Sequence, residues 1–319
     1  MRIVTEHKFT PEEVRQIASA APGVDLVLCK DHAELLEKVV DADALYGSVD
    51  RDILTRAKKL RWVQAPLAGV EAMAVAIQDS SVVLTNFAVI FAPAISETAM
   101  GMLLSLARGL NRYYVPQFMA RKMQPVGSTH SDHHAEISGR TMGIVGLGGI
   151  GLSIAQRAHF GFGMKILATD SRPMLPPHFV SELRDPGWLT EMAPQCDVLV
   201  GATPHTPETD RIFNEALFRS MKKTAYFLCL GRGKLFDDIA LAKALKEGWI
   251  AGAGLDVFPI EPPPPEHPIF DCPNVILTPH TSGWSPDRQT RLMALYIENV
   301  RRFSKNLPLI NVVDKSKGY

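Results

Sequence analysis

The chain has 319 residues, with 34 basic against 34 acidic side chains, 46% hydrophobic and 21% charged residues. A formal net charge of zero leaves no electrostatic footprint for nucleic acid or an anionic membrane, and the composition is too apolar for a disordered chain. The length suggests two domains, each able to bury a core without covalent staples.

The opening MRIVTEHKFTPEEV becomes charged within six residues, so no signal peptide is expected, and no stretch approaches the roughly 18 apolar residues of a membrane span. Cys29, Cys196, Cys229 and Cys272 lie far apart with no CxxC pair. That spacing argues against a zinc ribbon or a disulfide scaffold and points to a reducing compartment, the cytoplasm.

Arg2 to Thr5 reads as a strand. Thr10-Pro11-Glu12-Glu13 opens a helix, with Thr10 as N-cap, Pro11 at the first helical position and Glu13 completing a capping box. Val24 to Cys29 is the next strand, and Asp31 caps a helix running through Val40. Further strands are expected at Leu45–Ser48, Leu60–Gln64 and Val82–Thr85. Strands alternating with helices imply a parallel, doubly wound sheet. After Pro93, Ile95, Ala99, Met102, Leu103, Leu106, Ala107 and Leu110 recur at helical spacing as one apolar stripe. Residues 124–139 break the pattern, and a second β/α series runs from Thr141 to about His280. A helix over 287–304 and a polar tail follow.

The second series opens with an apolar strand running into Gly146-Leu147-Gly148-Gly149-Ile150-Gly151, a GxGxxG turn. Gly146 makes the tight turn, Gly148 allows backbone approach to a pyrophosphate, and Gly151 permits close helix–strand packing. The helix starting at Gly149 and Ile150 aims its free N–H groups and positive dipole end at the phosphates. A further strand, Lys165 to Thr169, ends at Asp170, 19 residues after Gly151, close to the expected spacing of about 20. Asp170 can accept hydrogen bonds from ribose hydroxyls and would repel a 2′-phosphate, so the expected cofactor is NAD. Arg172 is read as a solvated loop charge.

Three later segments read as strands that end in reactive side chains: Ala225–Gly233 with Arg232, Gly254–Pro262 with Glu261, and Asn274–His280 with His280. In an open parallel sheet, ligands bind outside the carboxyl ends of the strands, where the glycine turn also lies. Arg232 offers a planar fork to a carboxylate and an adjacent carbonyl oxygen. His280 can donate a proton to an oxygen that gains charge as a hydride arrives, and Glu261 can orient the ring. Singly each residue suits a structural role, but three at one edge of a nucleotide sheet suit reduction of a keto acid.

These segments resemble the D-isomer-specific 2-hydroxyacid dehydrogenase family. The matching stretches are Ala68-Gly69-Val70-Glu71, the glycine turn with Asp170, Thr203-Pro204-His205-Thr206-Pro207-Glu208-Thr209, and Arg232-Gly233 with Asp237. They continue with Gly254-Leu255-Asp256-Val257-Phe258, Glu261-Pro262 and Thr278-Pro279-His280. The resemblance implies an α/β fold of two doubly wound parallel-sheet domains. A Rossmann cofactor domain, 104–285, is inserted in a flavodoxin-like substrate domain, 1–103 plus 286–319. It implies substrate contacts from the backbone at Gly69 and Val70 and from Arg232, and catalysis by Arg232, Glu261 and His280. It assigns Asp256 to the nicotinamide carboxamide, Thr203, Pro204 and Thr209 to the cofactor, and a homodimer through the cofactor domain with 111–140 as an arm. The implied activity is hydride transfer between NAD(H) and a small 2-keto acid, glyoxylate or hydroxypyruvate first. The alternative is an NAD-sensing, corepressor-like binding protein with the same triad. Cys229, where many members carry asparagine, is read as a small buried strand residue. Trp284 either walls the substrate pocket or packs at a helix start. His130, His133 and His134 lack a spacing that fixes metal geometry, so no metal is expected.

Overall fold

The computed structural model describes residues 1–124 and 134–318. Contacts divide the chain into two compact units, Met1–Phe91 with Ser285–Tyr319, and Ala92–Trp284.

In the first unit, β1 (Arg2–Thr5), β2 (Asp25–Leu28), β3 (Ala44–Tyr46), β4 (Trp62–Gln64) and β5 (Val83–Thr85) form a parallel sheet in the order β2-β1-β3-β4-β5. That order is the flavodoxin-like form of double winding. Helices α1 (Pro11–Ala18), α2 (His32–Lys38), α3 (Arg51–Arg56) and α4 (Glu71–Ala76) connect the strands. The capping box forms: the Thr10 N–H donates to Glu13 at 2.8 Å, and the Glu13 N–H donates back to the Thr10 hydroxyl at 3.3 Å. Asp31 accepts from the Glu34 N–H at 2.9 Å, but α2 tightens into a 3₁₀ turn over Val39–Asp41 instead of running on to Val40. The C-terminal helix Arg288–Ser304 closes this unit, placing Tyr296 among Phe9, Tyr46 and Trp62. Asn299, wholly buried, donates to Gln64 at 3.2 Å and accepts from the Ile310 N–H at 2.8 Å, so the core holds the tail through satisfied polar groups.

The second unit begins with α5 (Ala92–Ala107), where the sequence reading places its boundary at 104. This helix packs on α7 (Gly149–Phe162) and on strands of the sheet, so Ala94, Ser96 and Met100 are buried beyond the single expected stripe. A π-helical turn over Leu110–Tyr114 leads into α6 (Val115–Met119). The sheet contains β6 (Thr141–Val145), β7 (Lys165–Thr169), β8 (Val180–Arg184), β9 (Val198–Gly201), β10 (Tyr226–Cys229), β11 (Gly252–Leu255) and β12 (Val275–Leu277). Helices α8 (Leu189–Met192), α9 (Glu215–Ser220) and α10 (Asp238–Lys246) join them. The strands run parallel in the order β12-β11-β10-β9-β6-β7-β8. Strand order reverses between β6 and β9, the switch point at which such sheets bind nucleotides.

Candidate active site

The glycine turn leaves β6 at this switch point. Gly146 has φ +94°, and a Cβ there would lie 2.8 Å from the Thr203 backbone after β9. Only glycine meets both demands. A Cβ on Gly151 would fall 2.0 Å from the Gly146 carbonyl oxygen, which explains the close seating of α7 against the turn. Gly148 is the N-cap of α7, and Gly149 and Ile150 begin the helix. The backbone N–H groups and dipole of that helix start suit a pyrophosphate.

Asp170 stands at the end of β7 with its side chain only 6% exposed. It accepts from the Leu147 N–H at 2.9 Å, which ties it to the glycine turn. Arg172 is exposed, as a loop charge would be, but it is also paired. Its Nε and Nη2 each donate to the Asp170 carboxylate at 3.0 Å, and its backbone N–H adds a third bond at 2.9 Å. Burial works to raise the Asp170 pKa, but the hydrogen bonds and charge of Arg172 outweigh it and hold the carboxyl below its ordinary range.

Past β9, Thr203 and Pro204 begin a loop that Thr209 shapes from within. The Thr209 hydroxyl donates to the Pro204 carbonyl at 2.8 Å and accepts from the Thr206 N–H at 2.7 Å. In the same loop His205 Nε2 meets Asp210 at 2.8 Å, a pair that sequence reading did not single out.

Arg232 follows β10, half-buried, and its Nη1 donates to the Gly231 carbonyl at 2.9 Å. Gly233 brings this loop against the next one: a Cβ there would lie 1.9 Å from the Phe258 carbonyl carbon and oxygen. The Phe258 loop carries Glu261, whose Oε1 accepts the Phe258 N–H at 2.9 Å. Its Oε2 meets Nδ1 of His280 at 2.8 Å. His280 follows β12 in the left-handed region, with φ +55°.

Asp256 supports that unusual backbone. It is 2% exposed, and its carboxylate accepts from the Thr278 hydroxyl at 2.6 Å and from the N–H groups of Thr281 and Ser282 at 2.9 and 3.1 Å. The Ser282 hydroxyl donates to the other oxygen. The structure therefore shows Asp256 anchoring the turn that presents His280. Sequence reading missed Thr278 and Ser282 in this role; hydroxyls two residues either side of a strand-end histidine were the available signal.

Cys229 is fully buried beneath Arg232, and burial pushes its thiol up to about 12, so it is an inert strand residue. Trp284 is exposed. His134 Nε2 pairs with the Tyr114 hydroxyl at 3.1 Å, while His130 and His133 lie outside the described residues. Among the described residues no cluster could hold a metal ion. Gly69 and Val70 belong to the first unit, in the loop between β4 and α4, where Asn86 donates to the Ala68 carbonyl at 2.8 Å.

The family model for the D-isomer specific 2-hydroxyacid dehydrogenase NAD binding domain matches residues 100–282. A glyoxylate reductase of Korarchaeum cryptofilum is 34% identical over 323 residues, covering 96% of this chain and 95% of its own length. A glyoxylate/hydroxypyruvate reductase B of Citrobacter koseri is 34% identical over 305 residues, covering 92% and 88%. Among solved structures, an NADPH-dependent glyoxylate/hydroxypyruvate reductase of Sinorhizobium meliloti, in complex with NADP and sulfate, matches at TM-score 0.81 and 29% identity. That match covers 100% of this chain and 99% of the other.

Proposed function

The chain belongs to the D-isomer-specific 2-hydroxyacid dehydrogenase family, and we propose that it reduces small 2-keto acids, glyoxylate and hydroxypyruvate first, with NADH. The observation that carries this reading is the 2.8 Å pair of His280 and Glu261 on the same sheet edge as the glycine turn. The turn, the α7 N-terminus and Asp170 fit a pyridine dinucleotide, which when bound supplies the hydride. Arg232 holds the substrate carboxylate and draws charge toward the carbonyl oxygen. With Nδ1 directed at Glu261, His280 uses Nε2 to protonate that oxygen as the hydride reaches the carbonyl carbon; oxidation reverses both transfers. Asp256 keeps the His280 turn in place. The first unit is the substrate domain, contributing the Gly69–Val70 backbone, and the second is the cofactor domain.

NAD is the proposed cofactor because the ionised Asp170 would repel a 2′-phosphate. One observation favours a second reading, NADP: Arg172 neutralises Asp170 in the structure, and an arginine turned away from that carboxylate suits a phosphate. The corepressor-like alternative is not favoured, since close relatives are named as reductases. We assign a homodimer to the second unit, where Val115, Phe118, Met119 and Met123 are 55–80% exposed, an apolar patch suited to a second copy. The four free, buried cysteines suit a reducing cytoplasm. No helix among the described residues is long and apolar enough to cross a membrane.

The test is NADH oxidation by the purified chain with a panel from glyoxylate and hydroxypyruvate through pyruvate to branched and aromatic keto acids. Turnover of at least one supports the reading. Binding of NADH with no turnover of any of them overturns it.

A further inference from the structure

We propose that Asn86 is a positioning residue for substrate: it orients the Gly69 N–H that meets the carboxylate of the keto acid. The proposal rests on the reductase reading above and deepens it. Asn86 follows β5 and is 6% exposed. Its Nδ2 donates to the Ala68 carbonyl at 2.8 Å, and its Oδ1 accepts the Ala88 N–H at 3.1 Å. Both ends of the amide are engaged, so the side chain cannot turn over without losing both bonds. The next residue, Phe87, donates its N–H to the Leu67 carbonyl at 3.0 Å. Asn86 and Phe87 thus hold two successive carbonyls of the loop between β4 and α4.

The Ala68 carbonyl and the Gly69 N–H belong to one planar trans peptide and point in opposite directions. Holding the carbonyl therefore aims the N–H. Gly69 has no side chain to restrict its backbone, so without the Asn86 bond that peptide plane is free to turn. Among the described residues, no backbone carbonyl accepts from the Gly69 or Val70 N–H, which leaves both donors for a carboxylate. Asn86 is itself held from its other side by the C-terminal segment. Its N–H donates to the carbonyl of Asn311, which stands in the left-handed region at φ +56°, over 3.1 Å. The Val313 N–H donates to the Leu84 carbonyl at 2.8 Å, and Val312 pairs antiparallel with Thr85. A donor fixed in this way needs little further ordering when the carboxylate arrives.

The experiment measures kcat, KM and NADH affinity for the wild type, Asn86→Asp and Asn86→Ser, with glyoxylate and hydroxypyruvate as substrates. Asn86→Asp keeps an acceptor for the Ala88 N–H but sets a carboxylate oxygen against the Ala68 carbonyl. Asn86→Ser keeps a hydroxyl for the same turn and is too short to reach Ala68. Each variant should raise KM about tenfold, the size of effect from one buried hydrogen bond lost. The factor should be the same for both acids, which share the carboxylate and differ beyond the keto carbon. The kcat should stay within about twofold, because the carboxylate is held alike in the ground and transition states. NADH affinity should not change. An unchanged KM in a folded variant overturns the proposal and leaves the reductase reading standing. So does a parallel loss of kcat and NADH affinity, or the failure of both variants to fold, since either makes Asn86 a structural residue only. A wild type that reduces no 2-keto acid overturns the reductase reading itself, and this proposal with it.

Discussion

Glu261 and His280 meet through Oε2 and Nδ1 at 2.8 Å, while the other Glu261 oxygen accepts the Phe258 N–H at 2.9 Å. A carboxylate can only accept, so it holds a proton on Nδ1 and leaves Nε2 as the ring nitrogen that Glu261 does not engage. The histidine is fixed from the opposite direction as well, because Asp256 binds the residues on both sides of it. His280 is therefore held by one carboxylate on its ring and another that binds the backbone and hydroxyls around it.

Replacing His280 with alanine should lower kcat for keto acid reduction by about 10²–10⁴, the usual contribution of a positioned acid/base group. NADH affinity, followed by fluorescence, should stay near wild type. Near-normal turnover would remove His280 from its assigned role.

Asp170→Ala, with Arg172 retained, should narrow or invert the NADH/NADPH ratio of kcat/KM. The carboxylate that repels a 2′-phosphate is gone, and the guanidinium it held is released. A wild-type enzyme that already prefers NADPH would make Arg172 a phosphate ligand and decide for the second cofactor reading.

The same carboxylate makes a pH-dependent contribution to stability. Its folded pKa lies below the unfolded value, so the stabilisation is present above the unfolded pKa and is lost as pH falls through the folded one. Asp170→Asn should cost about 1 kcal/mol at neutral pH, since Arg172 is half exposed. The difference from wild type in urea midpoint should shrink below about pH 4, the ordinary aspartate range. A difference that stays constant down to acid pH would show that the ion pair contributes nothing.

Gly233→Ala should damage both fold and function, because its Cβ would overlap the Phe258 carbonyl group. The backbone must shift, at a cost of about 1–3 kcal/mol. The shift moves Arg232 away from the Glu261 loop. A lowered melting temperature together with a reduced kcat is expected; an unchanged kcat would mean that the two loops are not coupled.

Much of this protein was legible without coordinates because its signals are local. A capping box, a GxGxxG turn after an apolar strand and an acid about twenty residues on all act over a few residues or one β/α unit. The strand-end positions of Arg232, Glu261 and His280 also follow from patterning, since a parallel sheet puts all its carboxyl ends on one edge. The tertiary structure decided what those side chains touch. Arg172 looked like a loop charge, yet it grips the Asp170 carboxylate through Nε and Nη2, while the distant Leu147 N–H donates to the same carboxylate. Asp256 gained its hydrogen bonds from residues more than twenty positions away, and Gly233 its purpose from the backbone of Phe258. Such contacts depend on how neighbouring strand-end loops are brought together, and distance in space between segments far apart in the chain has no local pattern to announce it.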